Sequence, residues 1–235
     1  MTDPVQRRWL ELAPDYAAYL ALPPAGRGPG LLLLQEIFGV NEHIRAVADQ
    51  YALAGFVVLA PDLFWRQAPR IDLGYTGADM TRGRAMAQAC TAEQSQQDLG
   101  LATRVLRERA EVGTAKIGAL GYCLGGRMAW LAAATAGVDA AVAYYGGGIQ
   151  QNLQHAAAVR CPVQFHYAGH DEHIPPEAVA AVRQAMPAER AEFHLYDAAH
   201  HGFNCWARAS YHAPSAALAH GRSLSFLAEK LFATT

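Results

Sequence analysis

Apolar residues in this chain cluster in runs of strand length, separated by longer stretches with helical spacing. The runs are Gly30 to Gln35, Phe56 to Ala60, Ile117 to Tyr122, Ala140 to Tyr145, Val163 to Ala168 and Phe193 to Tyr196. Short continuous runs suit strands buried on both faces, as in a parallel sheet covered by helices. Asp15 to Leu22, halted by Pro23-Pro24, predicts an added edge strand.

Between the runs, Asn41 is placed to cap a helix whose Ile44, Val47, Ala48 and Tyr51 share a face, with Gly55 ending it. Thr81 to Arg109 predicts one or two helices with Gly100 as the break. Leu124 to Ala136 and Pro176 to Met186 predict two more. A final helix starts at Pro214, a favourable first-turn residue, and turns Leu224, Leu227, Ala228 and Leu231 inward. No repeat, low-complexity tract or linker interrupts the alternation. The expectation is one α/β domain over residues 1–235, a mostly parallel sheet with helices on both faces.

Composition narrows the partners. With 52% hydrophobic and 17% charged residues among 235, the chain has enough apolar material to fold, which excludes disorder. A net charge of −2 argues against nucleic-acid or membrane-surface binding, which favour a basic field. Small neutral or anionic molecules fit instead. The segment from Met1 to Trp9 lacks the apolar core of a secretory signal, and no stretch suits a membrane span, so a cytoplasmic location is expected. The four cysteines, Cys90, Cys123, Cys161 and Cys205, show no CxxC spacing and are expected to be free thiols.

One of them stands in a chemical setting. Gly121-Tyr122-Cys123-Leu124-Gly125-Gly126 joins a predicted strand to a predicted helix, the pattern of a nucleophile elbow with Cys in the Ser position. The glycines permit the tight turn. The helix start places positive dipole and free N–H groups beside the sulfur, and the N–H of Leu124 points where an oxyanion would form. An isolated cysteine is by default a small buried hydrophobe, and that reading stands for the other three.

A thiol nucleophile needs a base and a group to orient it, in this topology in the order nucleophile, acid, histidine. Val163 to Ala168 empties into Gly169-His170-Asp171-Glu172-His173, and Phe193 to Tyr196 into Asp197-Ala198-Ala199-His200-His201-Gly202. Asp171 and His201 complete the set, with Glu172 and His200 as competitors; Gly202 favours His201 by allowing a tight turn. A metal site built from His166, His170, His173, His200 and His201 is the alternative. Its spacing is not HExxH and lacks a helical i,i+4 register, so neither a metal nor a cofactor is expected.

Taken with Gln35-Glu36-Ile37-Phe38-Gly39-Val40-Asn41, Ala60-Pro61-Asp62-Leu63-Phe64, Tyr144-Tyr145-Gly146 and His201-Gly202-Phe203, the elbow makes the chain resemble the dienelactone hydrolase family (carboxymethylenebutenolidases) from about Gly30 to the last helix. The resemblance implies an α/β-hydrolase fold without a large lid and hydrolysis of a lactone or ester through a cysteinyl acyl-enzyme. It assigns Cys123 as nucleophile, His201 as base and then acid, and Asp171 as orienting carboxylate. The N–H groups of Ile37 and Leu124 would form the oxyanion hole, and Glu36 would contact the resting thiol.

Members that cleave dienelactone hold its carboxylate with an Arg and a Tyr four residues later. Arg82 is the candidate for the first, whereas Met86 replaces the second. Cys205 replaces the Arg that follows the catalytic His by four residues; Arg84 and Arg208 are candidate substitutes, with a solvated surface charge the default for each. Tyr145, Trp65 and Trp206 are candidate pocket walls. The expected activity is hydrolysis of small esters or lactones, with thioester hydrolysis and a catalytically silent binding module as alternatives.

Overall fold

The computed structural model describes residues 4–232. Eight strands form one sheet: β1 (Gln6–Ala13), β2 (Tyr16–Leu22), β3 (Gly30–Leu34), β4 (Val57–Pro61), β5 (Ile117–Tyr122), β6 (Ala140–Tyr144), β7 (Val163–His170) and β8 (Ala191–His200). Their order is β1-β2-β4-β3-β5-β6-β7-β8. The first two pairings are antiparallel and the rest parallel. This is the α/β-hydrolase fold.

Among the described residues there are six α-helices: α1 (Glu42–Leu53), α2 (Gly77–Ala89), α3 (Ala92–Arg107), α4 (Leu124–Thr135), α5 (Pro176–Ala185) and α6 (Ala213–Leu231). Two glycines show how closely helix meets sheet. A Cβ on Gly30 would come within 3.0 Å of Leu106 of α3, while one on Gly118 would come within 2.6 Å of Leu231 of α6. Gly118 pairs with Leu31, the residue after Gly30. Successive strand residues face opposite ways, so α3 and α6 lie on opposite faces. Leu31, Leu32, Leu33 and Leu34 between those layers are wholly buried, each contributing about 1.5–3 kcal/mol of burial. Among the described residues no helix is long and apolar enough to cross a membrane.

Local chemistry explains several boundaries. Asn41 Oδ1 accepts the Ile44 N–H at 3.2 Å and starts α1, as its sequence position predicts. Three expectations need correction. The edge strand is β1 and not Tyr16–Leu22, which lies between β1 and β4 fully buried; β1 escapes the apolar-run criterion because none of its residues is buried. The break between α2 and α3 falls at Cys90-Thr91 and not at Gly100. Thr91 and Gln94 form a reciprocal capping box there, and two satisfied end groups outweigh the small helix penalty of one glycine. Strands β7 and β8 run on to His170 and His200, so His201 is the first residue beyond its strand.

Candidate active site

The carboxyl ends of β3, β5, β6, β7 and β8 deliver the candidate groups to one region. Cys123, between β5 and α4, has φ 56° and ψ −113°, a conformation that costs a non-glycine residue about 1–3 kcal/mol. Its neighbours leave no room to relax. A Cβ on Gly121 would lie 2.1 Å from the Gly125 carbonyl oxygen, and one on Gly126 would lie 2.3 Å from that of Tyr144. The Cys123 N–H donates to the Tyr144 carbonyl at 3.0 Å, and its own carbonyl accepts from Arg127 at 3.2 Å. Leu124 opens α4, so its N–H is among the first-turn amides with no intrahelical partner.

Gly125 is the tightest point, since a Cβ there would meet the Leu34 carbonyl oxygen at 2.0 Å. Gly125→Ala is therefore expected to push α4 off β3, lowering the melting temperature and removing hydrolysis together. A melt and an esterase assay on the variant check this; wild-type behaviour in both would contradict it.

His201 Nδ1 and Asp171 Oδ2 are 2.8 Å apart, and only 6% and 1% of the two side chains is exposed. The other Asp171 oxygen accepts the His173 and Ile174 N–H groups at 2.8 and 3.1 Å, which fixes the carboxylate. Burial works to discharge the imidazole, but the Cys123 sulfur as thiolate, together with Asp171, drives its pKa up to about 10. Nε2 has no hydrogen-bond partner, and Cys123 borders the same cavity as the ring. The competing pair, His200 with Glu172, forms a separate contact of 2.7 Å at the surface. His166 is occupied elsewhere, buried among Tyr196, Gln164 and Ser223.

Glu36 lies just past β3, wholly buried but for 1% of its surface. Burial pushes its pKa up, against the opposing influence of Arg208 and His201. Oε1 accepts from Arg208 Nη1 at 3.0 Å, and Oε2 has no hydrogen-bond partner. The carboxylate is engaged by Arg208, while the start of α1 is capped by Asn41 and not by Glu36. The surface default for Arg208 is thus overturned: its side chain is 14% exposed and lies across Gly202, where a Cβ would be 2.3 Å from Nη1. Gly202, at φ +82°, is needed for that reason as well as for the turn after His201.

Ile37 follows Glu36, and α2 is pressed against it; a Cβ on Gly83 would come 2.3 Å from the Ile37 carbonyl oxygen. The same helix corrects the choice of arginine. Arg84, with Cys123, His201, Arg208, Ile37 and His173, borders a cavity of about 180 Å³. Arg82 is exposed and does not border it, because two helical residues turn the side chain by about 200°. Met86 is buried, as is Cys205, which burial holds at a pKa of about 11. Tyr145 is wholly buried with its ring 5.0 Å from that of His201. Trp65 stacks on Tyr16, and Trp206 packs against His43 beside a different cavity, so neither borders the cavity at Cys123. Sequence reasoning missed the Arg208–Glu36 pair; it offered Arg208 only as a candidate substitute for the arginine replaced by Cys205.

The sequence model of the dienelactone hydrolase family matches residues 16–231. The chain belongs to this family. A carboxymethylenebutenolidase of Pseudomonas putida is 34% identical over 215 residues, 91% of each chain. One from Pseudomonas sp. (strain P51) is 36% identical over 194 residues, 79% of this chain and 78% of the relative. A crystal structure described as a putative dienelactone hydrolase from Klebsiella pneumoniae superposes with a TM-score of 0.86 at 30% identity, covering 96% of this chain and 99% of that one. The motif-based resemblance is therefore met over nearly the whole chain, and the protein is a hydrolase of the dienelactone hydrolase family.

Proposed function

We propose that this hydrolase cleaves small activated esters or lactones through a cysteinyl acyl-enzyme. The observation that carries the reading is the shared cavity at Cys123 and His201, with His201 held by Asp171 at 2.8 Å. The Cys123 thiolate attacks the carbonyl carbon, and the resulting oxyanion is held by the N–H groups of Leu124 and Ile37. Collapse breaks the C–O bond while His201 gives its proton to the departing oxygen. His201 then takes a proton from water, which attacks the thioester and frees Cys123. Asp171 keeps the imidazole oriented throughout.

Glu36 governs when the thiolate forms. A carboxylate near the sulfur disfavours a second negative charge, whereas a carboxylate drawn onto Arg208 leaves the proton to His201. The cavity of about 180 Å³ favours small acyl groups. The replacements at Met86 and Cys205, with Arg208 engaged by Glu36, point away from dienelactone itself and toward esters that do not need the full set of carboxylate-binding residues.

The test is turnover of p-nitrophenyl acetate and a panel of simple lactones, with and without prior iodoacetamide. Turnover that vanishes in step with alkylation of Cys123 is expected. Full activity after complete alkylation would remove Cys123 from the chemistry, and acyl-thioester turnover exceeding that of esters would reassign the substrate class.

A further inference from the structure

Deacylation makes a demand that Cys123, His201 and Asp171 do not meet alone. The attacking water gives one proton to His201 and aims an oxygen lone pair at the thioester carbon. Its second O–H needs an acceptor, because two held hydrogens fix the direction of that lone pair. Of the side chains that border the cavity, Ile37 and Phe38 carry no acceptor, and Arg84 and Arg208 only donate. The Met80 sulfur accepts weakly, and the Cys123 sulfur carries the acyl group. Glu36 does not border the cavity, and its Oε1 is held by Arg208. That leaves the imidazole of His173, an exposed side chain that borders the same cavity.

The loop after β7 puts this ring beside the catalytic one. The His173 and His201 rings meet edge to face, with centroids 5.0 Å apart and planes at 81°. The His173 backbone N–H donates to Asp171 Oδ1 at 2.8 Å, while Asp171 Oδ2 lies 2.8 Å from His201 Nδ1. One carboxylate therefore fixes both histidines. His201 gives its proton to the leaving oxygen and later takes one from water, so the water enters where the leaving group departed. A ring packed on His201 and open to the cavity adjoins that position. Among the described residues no group hydrogen-bonds the His173 ring nitrogens. Partial burial, with the charges of His201 and Arg84, lowers the His173 pKa from 6.5 against the influence of Asp171 and Glu172. At neutral pH the ring is thus mostly neutral and keeps a lone pair to accept with.

We infer that His173 is a catalytic residue of deacylation, accepting the second O–H of the attacking water while His201 takes the first proton. This rests on the cysteinyl acyl-enzyme reading. The water oxygen bonds to the thioester carbon and its proton passes to His201 Nε2. Collapse then breaks the C–S bond and returns the electron pair to sulfur. His173 holds its hydrogen bond throughout and gains no proton. Acylation uses no water and makes no such demand.

The experiment is a single turnover of p-nitrophenyl acetate with enzyme in excess, on wild type, His173→Leu and His173→Gln, with thermal melts alongside. Release of p-nitrophenolate reads acylation, and the mass of the acetylated protein after rapid quenching reads deacylation. His173→Leu should acylate within about twofold of wild type and deacylate about tenfold more slowly, the loss of one good hydrogen bond in the transition state. His173→Gln, whose amide oxygen accepts the same O–H, should recover most of that loss. A ring that only supports His201 would slow both steps alike, which overturns the inference. A deacylation defect that His173→Gln shares in full also overturns it, since an acceptor is then not what matters. Unchanged deacylation in His173→Leu overturns it too, and an acetyl group on Cys123 then leaves the acyl-enzyme reading standing. Release of p-nitrophenolate with no acetyl group on Cys123 in any of these proteins removes that reading and this inference with it.

Discussion

Cys123→Ala is expected to lower ester turnover by about 10⁴-fold or more, leaving only the residual rate that binding and oxyanion contacts supply in comparable triads. The alanine keeps the elbow's volume nearly unchanged, and the strain at φ 56° is not made worse, so the melting temperature should stay close to that of wild type. The same variant has a second readout. Burial alone would hold His201 neutral, and the Cys123 thiolate is the largest influence raising its pKa to about 10. With the sulfur gone, the imidazole retains Asp171 but loses that charge, and its pKa falls. The sign for stability follows from linkage. A histidine raised from 6.5 to about 10 contributes fully below 6.5, and that contribution disappears as pH rises through about 10. In Cys123→Ala it should disappear at a lower pH. Titration of the ring nitrogens by NMR measures both values; an imidazole that titrates identically in the two proteins would break the proposed coupling.

Arg208→Leu should be the most destabilising single charge removal near the site. It leaves Glu36 buried, with Oε2 already unpartnered and Oε1 deprived of its 3.0 Å donor. Breaking one side of a buried pair costs about 3–5 kcal/mol, or a melting temperature lower by about 10 °C in a chain of this size. The pH dependence has a definite direction. Burial already raises the Glu36 pKa above its ordinary value of 4.5, so the folded state binds that proton more tightly and is favoured as pH falls. Losing Arg208 raises the pKa further. The deficit should be largest at neutral pH and shrink on acidification, and Glu36→Gln in the same chain should restore much of it, because a neutral amide needs no counter-charge. Melts of the single and double variants at neutral and acid pH check this; an Arg208→Leu protein as stable as wild type would mean that the pair contributes nothing.

The two predictions differ in how far the sequence leads to them. Cys123 is legible because its signal is local: glycines flank it within three residues, a strand precedes it and a helix follows. Asp171 and His201 are legible by order, since each lies at the end of an apolar run and the fold gathers strand ends on one side. The sequence preferred Asp171 to Glu172 and, through Gly202, His201 to His200, and the structure gives the members of each pair different surroundings. Adjacent residues at a strand end point to opposite sides, and the one-residue difference separates a buried contact from a surface one. The end of β8 at His200 also lay beyond the apolar run that announced the strand.

By itself, the chain's pattern of apolar runs, glycines and strand-end residues determined the α/β architecture and the elbow at Cys123, while the family came from the resemblance of five motifs. The first two depend on backbone conformation and burial period, which neighbouring residues encode. Only the tertiary structure decided that β1 takes the sheet edge, that Arg84 rather than Arg82 borders the cavity, and that Arg208 reaches Glu36 across 172 residues of chain. A charged side chain's partner depends on which segments the folded sheet brings together and on how much water they exclude, and no local pattern carries that information.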